Sequence, residues 1–182
     1  NIWVHYTGAK LRLRQTPWEG FQRADLIKAD DMPMLRDAER AGQQGDVSNV
    51  VARGSDYARL YIQLLTKLSR ADTIQSVVLL IDDLLQAAPE HVMWFLDAEP
   101  YPALVKVLEV DDIFLSLKAA QFLTLCLCTQ ADRVSSYGAP PADVVDKLLQ
   151  HIKHKLAEAA SEAQDGAEGN VAPGLLCIVE EL

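Results

Sequence analysis

The sequence is poor in the groups that build reactive centres. Cysteine occurs three times, at Cys126, Cys128 and Cys177. An odd, small number forms no disulfide framework and suits a reducing compartment such as the cytosol. Cys126 and Cys128 stand two apart, so a helix turns them to different sides and they cannot grip zinc as a Cys-x-x-Cys pair does. No apolar run approaches the roughly 20 residues of a membrane-spanning helix, so no direct membrane insertion is expected. A glycine-rich phosphate loop, a Gly-x-Ser-x-Gly elbow and a His-Glu-x-x-His pair are all missing. Neither enzymatic chemistry nor a bound cofactor or metal is expected. Basic charge is also short: 17 Lys and Arg face 26 Asp and Glu, for a formal charge of -9. The first 40 residues hold seven basic and six acidic groups, the other 142 ten and twenty. An acidic body repels phosphate backbones, which excludes nucleic acid and leaves basic or mixed protein surfaces as partners.

What the sequence does have is helical apolar periodicity. Tyr57, Leu60, Tyr61, Leu64, Leu65 and Leu68 form one stripe at 3.6-residue spacing, with Ser55 or Asp56 as its expected cap. After a polar turn the pattern resumes at Ile74, Val77, Val78, Ile81, Leu84 and Leu85, with Asp72 as the expected cap and Pro89 past the end. The unit recurs at forty residues. Leu64, Leu65 and Leu68 map onto Leu104, Val105 and Leu108, then onto Val144, Val145 and Leu148; Ile74, Val77 and Leu85 map onto Phe114, Leu117 and Leu125. That period marks HEAT and armadillo stacks, in which each helix pair is shielded only by its neighbours. The expected fold is an all-α, right-handed helical-repeat solenoid. Residues 1–54 read as an N-terminal arm with helices, and residues 55–182 as the repeat stack, incomplete at its C-terminus.

Along the chain, residues 1–9 look weakly structured, and a short helix should end before Pro17. A further helix is expected from Asp30 or Asp31, with Pro33 in its first turn, to about Ala41. Residues 42–49 read as a polar connector, and 91–96 as a short extra helix of the armadillo kind. Helices over 102–110, 113–129 and 142–160 follow. Residues 161–173 are polar and read as a surface loop, and the apolar stretch from Gly174 to Leu182 starts another helix. No signal-peptide pattern opens the chain, which we read as a fragment of a longer protein.

Few residues suggest chemistry. His151 and His154 are three apart, but no third ligand stands at a suitable spacing and lysines flank them, so they read as a solvated face. Asp82 and Asp83 lie off the apolar stripe and read as facing water, with a contact to a basic partner as the functional alternative. Trp18 and Phe21 either anchor the arm on the first repeat or form an exposed docking point. Second helices of a solenoid line one face, so the candidate partner-binding groups there are Gln75, Asp82, Asp83, Gln86, Lys118 and Gln121.

Several stretches together resemble a known family. Arg12-Leu13-Arg14 followed by residues 17–24 (Pro-Trp-Glu-Gly-Phe-Gln-Arg-Ala) and Leu26-Ile27 resembles the start of the H subunit of vacuolar-type proton ATPases, in its fungal form. Residues 79–86, Leu-Leu-Ile-Asp-Asp-Leu-Leu-Gln, resemble that family's Val-Asp-Asp-Met-Leu-Gln helix. Residues 57–68 and 100–104 are similar to two further segments in the same order. The resemblance implies a non-catalytic regulatory and scaffold component with no catalytic or metal residues. It implies binding to the E and G subunits of the peripheral stalk and to the large a subunit of the membrane sector. The place implied is the cytosolic face of the vacuolar or endosomal membrane, and the task is coupling ATP hydrolysis to proton transport. The alternative is an armadillo-like cytosolic adaptor for extended peptides. Such adaptors carry regularly spaced asparagines along the groove, whereas Asn170 is the one asparagine after Asn49.

Overall fold

The computed structural model describes residues 2–164, with the side chains of 2–6, 159 and 162–164 left aside. The run from Gly174 to Leu182, with Cys177, lies outside the described residues. Among those described there are helices and no strand, in the order α1 (Ile2–Arg12), α2 (Trp18–Arg23), α3 (Met32–Gln44), α4 (Ser48–Val51), α5 (Gly54–Lys67), α6 (Ala71–Ala87), α7 (Val92–Leu96), α8 (Tyr101–Leu108), α9 (Ile113–Asp132), α10 (Val134–Tyr137) and α11 (Ala142–Gln164). Short 3₁₀ turns at Ala29–Asp31 and Pro89–His91 lead into α3 and α7.

The architecture is an all-α helical-repeat solenoid. Helices α5 and α6 pack as one pair and α8 and α9 as the next; α9 lies along α6, and α11 lies on α8 and α9. The stripe on α5 closes completely, with none of Tyr57, Leu60, Tyr61, Leu64, Leu65 and Leu68 more than 5% exposed. Their counterparts Leu104, Leu108, Val144 and Leu148 are buried too. Each such side chain removed from water contributes about 1.5–3 kcal/mol, so repetition of the stripe dictates the stacking.

Several local expectations are corrected. Residues 2–9 are not weakly structured, because they belong to α1, which begins at Ile2. That helix ends at Arg12, well before Pro17. The connector is mostly helical: α3 runs to Gln44, closes through Gly45 at φ 70°, where the backbone N–H groups of Gly45 and Asp46 reach the Ala41 carbonyl, and α4 follows. Helix α11 continues to Gln164, through the start of the expected loop. Neither Ser55 nor Asp56 caps α5, which starts at Gly54. Asp72 sits inside the first turn of α6, bonded to Arg70 and the Thr73 hydroxyl. A side-chain cap does form at Asp112, which accepts the Leu115 N–H at 2.8 Å and opens α9.

Two contacts lock the helices at close range. A β-carbon on Gly54 would overlap the Trp94 ring, so only glycine lets α5 meet α7 there, and His91 stacks on that ring at 3.8 Å. From α8, the Lys106 ammonium donates to the carbonyls of Leu65, Thr66 and Leu68 at 3.0, 2.8 and 2.6 Å. It thereby satisfies the last acceptors of α5 and ties the first repeat to the second. By length and composition α9 could cross a membrane, but 61% of its most apolar window is buried between other helices.

Lys106→Met keeps the stem and removes the donor. It should cost about 1–3 kcal/mol, read as a lower urea midpoint with an unchanged slope.

Candidate partner-binding surface

The stripe on the second helices does not close as the one on α5 does. In α6, Ile74 and Val77 are fully buried, and Phe114 and Leu117 in α9 are buried too. One position of the repeat stays open: Leu85 is half-buried and its counterpart Leu125 is 38% exposed. These two leucines stand over a groove of about 300 Å³ that runs between α6 and α9. Val78, Ile81 and Phe122 wall it, Leu104 and Val107 of α8 floor it, and Gln86 and Gln121 sit on its rim. The helices run parallel here, since Gln75 meets Asp112 near their starts and Asp82 meets Lys118 further along.

The acidic pair on α6 is the main departure from the sequence reading. Asp82 and Asp83 do not face open water; their side chains are 21% and 15% exposed. Arg12 of α1 bonds Asp83 through both Nε, at 3.1 Å, and a terminal nitrogen, and lies 3.7 Å from Asp82. From the other side Lys118 of α9 donates to Asp82 at 2.7 Å, and the Gln86 amide donates to its second oxygen at 2.9 Å. A carboxylate leaving water at this depth needs such partners, and the chain brings cations from 71 and 36 residues away. Gly42 of α3 makes room: a β-carbon there would stand 2.5 Å from an Asp83 oxygen.

The other sequence candidates divide. Gln75 is held between Asp112 at 2.8 Å and Arg14 at 3.3 Å. Trp18 is 2% exposed and so is no exposed docking point, and its helix packs on α3; Phe21 is half-buried and tilts against it at 6.5 Å between ring centres. Burial pushes the Glu39 carboxyl of α3 above its usual range. Gln86 and Gln121 reach the groove and line its edge. The groove's leucines belong to the forty-residue repeat, where the pattern alone places them in the core. A stripe position gives no sign of which neighbour will fail to cover it.

His151 is not on a fully solvated face. Its Nε2 shares a 2.7 Å hydrogen bond with the buried Ser116 hydroxyl of α9, while His154 is exposed and points to Glu158. Among the described residues no three His, Cys, Asp or Glu side chains are grouped to hold a metal ion. Burial of Cys126 raises its thiol pKa far above the usual value, which keeps it protonated and inert.

The sequence profile of a family described as the H subunit of the V-ATPase matches residues 4–178. The chain belongs to the V-ATPase H-subunit family. A curated relative named as the probable H subunit of a V-type proton ATPase, from Oryza sativa subsp. japonica, is 27% identical over 118 residues. That alignment takes in 61% of this chain and 26% of the rice protein, so the chain spans about a quarter of that relative's length. The family match runs through the arm and the repeats alike, and takes in α6, α9 and the groove between them.

Burial, then Lys155 and His154, hold the His151 pKa below its usual value. The unfolded chain therefore binds the proton more readily. The stability from neutral His151 is complete above the unfolded value of about 6.5 and is lost as pH falls below it. Between pH 7.5 and 5 the urea midpoint should fall more in the wild type than in His151→Gln; parallel losses would contradict the assignment.

Proposed function

We propose that the chain is a non-catalytic regulatory and scaffold part of a V-type proton ATPase. In this reading it binds the E and G subunits of the peripheral stalk and the a subunit of the membrane sector, at the cytosolic face of a vacuolar or endosomal membrane. It helps couple ATP hydrolysis to proton transport by holding other subunits, with no chemistry of its own. The observation that carries the reading is the family match over residues 4–178, on a solenoid whose second helices leave a neutral apolar groove open. The electrostatics support it: the body beyond residue 40 has twice as many acidic as basic groups, so basic helical partners are drawn to it.

The adaptor alternative requires asparagine side chains along the groove to hold an extended backbone. The rim here offers Gln86 and Gln121 beside leucines, a lining suited to a helix.

Purified chain should retain an E–G stalk heterodimer at micromolar concentration in a pull-down, more strongly at low salt than at high. No retention under either condition would remove the stalk-binding role.

A further inference from the structure

The arm closes on α3 over a carboxylate that its neighbours leave without a cation. Glu39 is half-buried and stands between two cavities. One is small and backed by Ser76, Leu79 and Leu80 of α6; the other, of about 320 Å³, is polar and walled by Thr16 and Trp18. Four arginines line these cavities, and each is bonded elsewhere. Arg12 is held by Asp83, Arg14 by Gln75 at 3.3 Å, Arg36 by Glu19, and Arg40 by Asp37 at 3.2 Å. Among the described residues none of the four forms an ion pair with Glu39. Glu19 of α2 and Asp83 of α6 also line the cavities and add like charge.

Two donors stand near the carboxylate without settling its charge. The Thr16 hydroxyl is given to Ser76 at 2.8 Å, and the buried indole N–H of Trp18 closes on no acceptor. Burial outweighs what Thr16 and Trp18 offset and holds the carboxyl above its usual range. That burial depends on the arm, because Thr16, Trp18 and α2 form the cover over this side of α3. Lifting residues 14–24 would open both cavities to water and return Glu39 to ordinary hydration.

We propose that Glu39 is a proton-responsive latch for the arm. Protonated, it lets residues 14–24 close on α3 and α6; ionised, it favours their release, and Trp18 and Phe21 leave their seat with them. The docked arm binds the proton more readily than the released one. The added stability is therefore complete below the free value of about 4.3 and is lost as pH rises through the docked value. The sign is opposite to that of His151 on α11, so a whole-molecule melt mixes the two and a local readout separates them. The latch works whether or not the chain binds a stalk.

The test follows the full chain by hydrogen exchange of the amides of residues 16–24, corrected for the intrinsic pH dependence of exchange. The side-chain carboxyl resonance of ¹³C-labelled glutamate reports the titration directly. The opening constant of the arm should rise about twofold or more between pH 5 and pH 7.5, with Glu39 titrating above about 4.3. Glu39→Gln, neutral at every pH, should keep the arm at its acid-side protection throughout. Where that variant fails to fold, the wild-type carboxyl resonance decides. A Glu39 midpoint at or below about 4.3, equal arm opening at the two pH values, or an unchanged pH dependence in Glu39→Gln would overturn the latch.

Discussion

Burial of α6 on every side but one is the constraint from which the rest follows. Its Ile74, Val77, Ile81 and Leu84 face α5 and α9, and Leu79 and Leu80, off that stripe, are buried as well. The second pair is covered from the N-terminal side, where Leu11 of α1 and Gly42 of α3 share a small cavity with them. A helix so enclosed cannot carry bare carboxylates, and Asp82 and Asp83 are met by Arg12 and Lys118 from opposite flanks. The arm and the repeats therefore form one core. Trp18, Ile27 and Leu35 belong to the same buried cluster as Leu123 and Ile152.

Much of the fold is legible in the sequence because it is local. Stripes at 3.6-residue spacing and their recurrence at forty residues state which helices exist and which faces meet. The arm is less legible. Residues 57–85 show that α6 has an apolar stripe, but Leu79 and Leu80 reveal a second buried face only once α1 and α3 lie across it. Asp82 and Asp83 look solvated in sequence for the same reason, since their cations come from 71 and 36 residues away. Lys106 looks like any surface lysine, yet it closes the end of α5. Gly54 and Gly42 carry no signal of their own, because a glycine's reason lies in what stands against it, here the Trp94 ring and the Asp83 carboxylate. Of the candidate surface, the face is legible and its chemistry is not. The polar groups on that face are mostly engaged inside the chain, and the open groups are leucines.

That exchange alters how a regulatory component of this family would bind its neighbours. Charges already satisfied within the fold contribute little to a partner's affinity, because breaking them costs as much as remaking them. The ion network then has a structural task. It fixes α6 against α1 and α9, and so fixes the walls of the groove.

The most direct measurement is native-state hydrogen exchange on Ile74→Ala, which opens a void at a fully buried position of α6 and should cost about 2–5 kcal/mol. If α6 is the common support, protection must fall together in α1, α3, α5 and α9. Loss confined to α5 and α6, with the arm and α9 as protected as before, would contradict the account.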